Sequence, residues 1–457
     1  MNTTSAKRAA LISATLASFL TPFMVSSVNI ALPSIGREFS MNAVMLNWVA
    51  TSYLLAAAMF LVPFGRLADI VGRKKIFTAG IIIYTLSSLL AGFSITPEML
   101  ILFRVVQGFG SAMVFGTGVA ILTSVFPPNE RGKVLGINVA AVYIGLSLGP
   151  FLGGLLTEYF GWRSIFFVNV PAGLTVIAFI LAKLKGEWAE AKGEKFDIAG
   201  SFIYCVSLTV LMYGFSLLPG TNGIWLVLFG FAGLFVFIKW QGRVKSPLLN
   251  INLFRKNKVF AFSNIAALIN YSATFAVSFL LSLYLQYTHG YSAREAGVIL
   301  VAQPAVMAIF SPLAGRLSDK IEPRIIASVG MALACAGLSV FAFLTATSSI
   351  TFILTGLIIL GFGFALFSSP NTNAVMGAVE KKYYGIAAGT LGTMRLTGQM
   401  FSMGVVMIIF ALFIGRTKIS PANYSLFQDG VKTSFIVFAA LCFVGIFFSL
   451  FRGKNKN

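Results

Sequence analysis

The sequence predicts an all-α integral membrane protein of fourteen transmembrane helices, arranged as two six-helix bundles plus two additional central spans. Three observations predict it. The 457 residues are 57% hydrophobic and only 11% charged, against about 25% charged in soluble domains, so this chain could not cover itself in water. Its apolar residues come in repeated runs of about 20, each enough to cross a bilayer. A short motif also recurs, GRLAD from Gly65 and GRLSD from Gly315, 250 residues apart.

Long apolar runs bounded by charge, proline or glycine place six spans near residues 9–32, 43–64, 76–93, 99–125, 134–156 and 164–184, an N-terminal bundle over 1–184. The first run follows Lys7 and Arg8, as a signal peptide would. It continues to Pro33 without a convincing cleavage site, so it reads as a retained span. A mixed-charge stretch at 185–197, KGEWAEAKGEKFD, reads as the linker between halves. Two extra spans follow at 198–218 and 224–238, then a basic cytoplasmic loop to 258. Six spans remain, at 259–285, 296–313, 325–346, 351–367, 385–414 and 431–451, a C-terminal bundle over 259–457. At roughly 30 to 35 residues for a span and its loop, a six-span unit takes about 200 residues. The longer repeat leaves room for the two extra spans and puts both motif copies on one face, as parallel repeats require.

The net charge of +20 is a matter of topology. With a cytoplasmic N-terminus, 26 of the 34 Lys and Arg fall inside, six outside (Arg37, Arg163, Arg294, Arg416, Lys418 and Lys432), and two, Arg104 and Arg395, within spans. That is the positive-inside bias, and it leaves no basic stripe for nucleic acid. The expected setting is the plasma (inner) membrane with both termini cytoplasmic, the partners lipid and a small organic substrate, and the state a monomer. Cys205, Cys335 and Cys442 lie far apart in apolar runs and read as small buried apolar residues. His289 is the only histidine and falls in an outer loop. Neither a metal site, a cofactor nor a catalytic residue is expected, and no nucleophile-base pair or phosphate loop is present.

The first cytoplasmic loop reads GRLADIVGRKKIF from Gly65. Gly65 and Gly72 allow close helix approach and a tight turn. Asp69 can accept from a helix N-terminus or an arginine, and Arg73 with its basic neighbours holds the loop inside. This order of residues resembles the signature of the major facilitator superfamily between spans two and three. The resemblance implies a latch between halves, with Arg131 of the ERGK loop as partner and Gly315 and Asp319 as the second copy. Span four carries RVVQGFGSAM from Arg104, similar to the family's span-four motif. Arg104 enters from the outer face by about five residues, roughly 7 Å, so it either snorkels to the interface or, with Gln107, influences coupling.

Span five holds GINVAAVYIGLSLGPFLGGLL, from Gly136 through Pro150 to Gly154. Gly145, Gly149 and Gly153 share one helix face, where small residues let helices approach, and Pro150 is expected to kink the helix. The run resembles the antiporter motif of drug-exporting members. GWRSIFFVNVPAG from Gly161, NIALP from Asn29 and AAGTLGTMRLTG before Gly398 look like the fourteen-span drug/proton antiporter branch, so the resemblance covers nearly the whole chain. It implies alternating access and efflux of amphipathic compounds, with a proton as coupling ion.

The sequence departs from that pattern. The branch usually carries an acid five positions before the NxALP asparagine, where this chain has Met24, and all 14 Asp and Glu lie in loops or at span ends. An intramembrane carboxylate is the natural proton carrier and counter-charge for a cation. Arg395 lies about ten residues into span thirteen, about 15 Å deep. It is either a strut held by carbonyl and side-chain acceptors or a group that binds an anionic or polar part of the substrate. Glu158, at the outer end of span five, is a candidate coupling acid or a solvated interfacial one. Asn29, Tyr53, Asn138, Tyr143, Asn270, Tyr271, Gln303, Asn371 and Gln399 are candidates to line a cavity; each could instead form an interhelical bond of about 1 kcal/mol. Two other functions stay open: a carrier of a neutral or anionic metabolite or lipid, and a non-transporting membrane receptor or assembly factor.

Overall fold

The computed structural model describes residues 3–184, 186–318, 320–380 and 384–453. Its N-terminal bundle consists of α1 (Thr3–Glu38), α2 (Ala43–Val71), α3 (Arg73–Gly92), α4 (Pro97–Val125), α5 (Pro128–Phe160) and α6 (Arg163–Lys183). The extra hairpin is α7 (Ile198–Leu217) and α8 (Thr221–Gln241). Then come a short α9 (Ile251–Lys256) and the second bundle: α10 (Lys258–Thr274), α11 (Val277–Tyr287), α12 (Ala293–Leu300), α13 (Ala302–Ser318), α14 (Pro323–Phe341), α15 (Ile350–Gly377), α16 (Tyr384–Phe413) and α17 (Tyr424–Leu450). Among the described residues, fourteen passes are long and apolar enough to cross a membrane, as the sequence predicts. An even number of passes brings both termini to one end, here the terminal face; the other end is the far face.

Two passes are broken, and the sequence states one reason. Pro304 has no N–H for the Leu300 carbonyl, and the chain changes helix between Leu300 and Ala302. In the other, Phe275 and Ala276 separate α10 from α11, and the Ala276 N–H is taken by Ser402 Oγ of α16 at 3.0 Å. Side chains fix the starts of other helices: Asn42 caps α2, Thr96 caps α4 and Ser292 forms a capping box with Glu295 on α12.

Boundaries differ most where polar residues lie inside a span. The sequence reading ends the twelfth span at 367, before Ser368-Ser369-Pro370-Asn371-Thr372, but α15 continues to Gly377. These polar groups are satisfied within the bundle: Thr372 Oγ1 donates to the Ser368 carbonyl at 2.8 Å, Asn371 Nδ2 to the Ser263 carbonyl at 3.1 Å and Asn373 Nδ2 to Ser318 Oγ at 2.6 Å. The basic loop likewise contains α9, capped by Asn250.

The two bundles repeat each other in packing. A Cβ on Gly80 of α3 would stand 2.9 Å from the Gly110 carbonyl of α4, and one on Gly330 of α14 would stand 2.7 Å from the Gly363 carbonyl of α15. In each bundle two glycines bring backbones together where any side chain would push them apart. The hairpin lies outside the bundles. Its α7 packs on both α2 and α16, with Tyr204 Oη donating to the Ala58 carbonyl at 3.3 Å and Phe215 against Gly404.

Candidate functional site

The bundles are joined tightly toward the far face. Ser282 Oγ of α11 donates to the Asn29 carbonyl of α1 at 2.8 Å, and Gln286 Nε2 to the Ile30 carbonyl at 2.9 Å. Asn47 Nδ2 of α2 reaches the Met403 carbonyl of α16 at 3.4 Å, and the Ala43 N–H reaches the Thr417 carbonyl at 3.1 Å. Gly154 of α5 packs on the Ala293 backbone, and Gly297 of α12 packs on the Pro150 carbonyl. Glu158 Oε2 accepts the Arg294 N–H at 3.1 Å, while Arg294 Nη1 donates to Tyr159 Oη at 3.1 Å.

Toward the terminal face these pairings stop. Tyr143 Oη to Ser368 Oγ, 3.3 Å, is a mid-bundle bond from α5 to α15, and Leu61 still lies 3.7 Å from a Cβ placed on Gly392. Beyond them, Gly136 of α5 and Gly385 and Gly389 of α16 face open space. The hydrogen bonds described there stay within one bundle, Lys7 to Glu130 in the first and Asn257 to the Ala378 carbonyl in the second. The described residues are thus closed at the far end and parted around Gly136, Gly385 and Gly389.

At the inner limit of the parted region sits Arg395. Its Nη2 donates to Thr372 Oγ1 at 2.8 Å, its guanidinium lies 5.7 Å from the Tyr271 ring, and its Nε is buried without a partner. The side chain is only partly buried. Tyr271 meets Phe364 edge-on at 5.3 Å, and both cluster with Met307, Tyr143 and Leu146. Gln399, four residues from Arg395 and thus on the same face of α16, is half-buried, as is Gln303. The result is a mid-bundle wall from both halves, apolar and aromatic, with one cation.

Arg104 is the opposite case. It does not snorkel: it is 1% exposed, with Nε donating to the Val49 carbonyl at 3.1 Å and Nη1 to Gln107 Oε1 at 2.6 Å. Its guanidinium lies 4.4 Å over the Tyr53 ring, and Tyr53 Oη is 2.6 Å from Ser111 Oγ. Tyr53 therefore joins α2 to α4 inside one bundle instead of facing a cavity. Asn371 is corrected in the same way, since Asn371 Oδ1 accepts from Arg452 Nη1 at 2.9 Å. Asn29 engages through its carbonyl. Asn138 and Asn270 are buried, with Asn138 Oδ1 and both Asn270 amide atoms unpartnered.

The loop motif is folded as its glycines require, with Gly72 at φ 131° between α2 and α3, in the region open to glycine. Gly65 lies within α2, its N–H 3.3 Å from a Cβ placed on Gly116 of α4. The partner of Asp69 is not Arg131, which donates from Nε to its own Phe126 carbonyl at 3.0 Å. Arg73, one turn along, reaches Asp69 from Nε at 2.9 Å. Its Nη1 bonds Ser124 Oγ at 2.6 Å and Glu190 Oε1 at 2.7 Å. The linker, expected only to link, is strapped over the loop within residues 186–197: the Trp188 carbonyl accepts the Arg73 N–H, the Ala191 N–H donates to the Asp69 carbonyl, and Glu194 pairs with Arg66. In the second copy Gly315 lies in α13 beside Ser369, and Asp319 falls outside the described residues.

Gly145, Gly149 and Gly153 of α5 share one helix face against α1. Gly145 packs on α1 at Phe23 and Pro22, Gly149 at Ser26 and Gly153 at Ser27, and Ser27 Oγ donates to the Gly149 carbonyl at 2.9 Å. α5 runs unbroken through Pro150. Glu158 is exposed at the far-face rim. Sequence reasoning missed Ser282, Gln286, Ser368 and Thr372; the polar run inside span twelve and the proline four residues after Asn29 were the available signals.

Two repeated bundles of membrane-spanning helices with a polar point between them define a multi-pass membrane transporter. The chain belongs to the Major Facilitator Superfamily, which it matches over residues 14–403 and again over 264–456. It is 30% identical over 444 residues to the riboflavin transporter RibZ of Clostridioides difficile, covering 96% of each chain. To the cephamycin export protein CmcT of Amycolatopsis lactamdurans it is 32% identical, covering 92% of this chain and 88% of that one. To the multidrug resistance protein Stp of Mycobacterium tuberculosis it is 32% identical, covering 85% and 73%. The fold is that of a bacterial homologue of the human lysosomal transporter Spinster, solved inward-facing and unoccupied, with a TM-score of 0.67, 18% identity and 98% and 97% coverage. The protein is a multi-pass transporter of the fourteen-span branch and not an enzyme.

Proposed function

We propose that this protein is a secondary active transporter that exports small amphipathic organic compounds by alternating access, coupled to proton influx. It works as a monomer in the plasma (inner) membrane with both termini cytoplasmic, so that the parted end faces the cytoplasm. The clustering of Lys and Arg at the terminal face supports that orientation. The observation that carries the reading is the mid-bundle wall, where Tyr271, Phe364 and Met307 of one bundle meet Tyr143 and Leu146 of the other in one apolar, aromatic cluster suited to amphipathic compounds. Exporters among the relatives, CmcT and Stp, support the direction.

A second reading is a carrier of a neutral or anionic metabolite. It is favoured by Arg395, by the absence of Asp and Glu from span interiors, and by the kinship with a riboflavin transporter. Purified protein in liposomes, under imposed proton and sodium gradients, separates the two when offered cationic, neutral and anionic compounds. Proton-driven movement of cationic and neutral drugs is expected; strict preference for anions, or indifference to pH, would replace the first reading with the second. Glu158→Gln tests the rim acid: loss of pH-driven transport assigns coupling to it, and unchanged coupling removes it.

A further inference from the structure

α1 is helical through Pro33. Proline has no N–H, so the carbonyl four residues earlier, that of Asn29, loses its intrahelical donor. A carbonyl freed in lipid has to be satisfied by a neighbouring helix, commonly through a hydroxyl. Here that neighbour belongs to the other bundle. Ser282 Oγ gives the Asn29 carbonyl its hydrogen bond at 2.8 Å. Gln286, one turn further on α11, donates from Nε2 to the adjacent Ile30 carbonyl at 2.9 Å and to Ser282 Oγ at 3.1 Å, so the two side chains form one connected set. Ser282 and Ile30 are 0% exposed and Asn29 3%, so water does not compete for the acceptors while the end is shut.

We propose that Pro33 bares a main-chain acceptor on α1 for Ser282 of the opposite bundle, braced by Gln286, making these two the positioning residues that hold the far face closed during transport. This rests on the alternating-access reading above. The bond can form only across the seam, because α1 itself supplies no donor at position 33. When the far face opens, α11 withdraws and the Asn29 carbonyl must wait for water to enter the widened end. The proline thus makes closure favourable without adding any charge to the seal.

The test uses the full-length protein in liposomes, spin-labelled through Glu98→Cys on α4 and Lys418→Cys in the second bundle, with distances read under proton gradients of either direction. Ser282→Ala and Pro33→Ala, which returns an N–H to the Asn29 carbonyl, should each shift the closed-to-open ratio by roughly threefold to tenfold. The double variant should match a single one, because both remove the same bond. Ser282→Thr, which keeps the hydroxyl, should restore the parent ratio. Two populations whose ratio ignores Ser282, or variants whose effects add, overturn the proposal alone. One unchanging distance in every variant and gradient overturns the alternating-access reading, and the proposal with it.

Discussion

The two intramembrane arginines are treated in opposite ways by the bundles that hold them. Arg104 spends its guanidinium on the Val49 carbonyl, Gln107 and the Tyr53 ring, all within the N-terminal bundle. Arg395 has Thr372 and a distant Tyr271, a bare Nε, and partial exposure at the seam. A cation bonded within one rigid body is held equally well in every conformation, so it contributes to folding. A cation with donors left over at a moving boundary has something to offer a ligand, and an arginine kept at that depth against a cost of about 2.5–3.5 kcal/mol calls for such a use.

The comparison breaks most easily at these two residues. Arg395→Gln should lower transport in liposomes roughly tenfold or more, the signature of a lost substrate contact, while the thermal midpoint in detergent stays nearly unchanged. Arg104→Gln should do the reverse, removing about 2–3 kcal/mol of stability by orphaning buried acceptors; transport per folded molecule should fall much less. A stable but inactive Arg104→Gln protein would erase the distinction.

A smaller effect separates the two copies of the loop motif. The N-terminal copy is tied by charge, Arg73 to Asp69 at 2.8 Å and to Glu190 at 2.7 Å. At the second copy the bond described is neutral, Asn373 to Ser318 at 2.6 Å. Raising salt from 50 to 500 mM (about 14 Å to 4 Å of screening length) should speed amide exchange around residues 72–76 and leave residues 316–318 unaffected. Glu190→Gln, at an exposed position, should cost about 0.5 kcal/mol and remove most of that salt dependence.

The smallest effect is at His289, between Tyr284 Oη at 2.9 Å and the Tyr291 ring. Burial holds its imidazole below the ordinary value, so the folded protein favours the neutral ring. That contribution is complete above about pH 6.5 and is lost as pH falls through the lowered value. The midpoint should drop by about a degree between pH 7.5 and 5, and His289→Gln should flatten that part of the profile.

The spans were legible because hydrophobic length and charge asymmetry are one-dimensional properties. All fourteen passes, the parallel repeat and the packing face of Gly145, Gly149 and Gly153 follow from spacing alone. Partners were not legible. Tyr53 and Asn371 have the composition of cavity residues, yet each is spent on a buried arginine, Arg104 and Arg452. Asp69 was matched to Arg131 through the family resemblance, but Arg73 stands one helical turn away and the folded-back linker supplies the rest. Hydropathy also reads a polar run as the end of a span. In α15 the run is interior, because neighbouring helices supply donors and acceptors that no single segment reveals.

The hairpin has a geographic consequence. Since α7 rests on both α2 and α16, lipid tails are kept away from that groove where it is covered, and a molecule dissolved in the surrounding leaflet finds it roofed there. The groove between α5 and the α12–α13 pass has no such cover among the described residues. A compound arriving sideways from the bilayer thus has one approach, on the side of the molecule away from the two added helices.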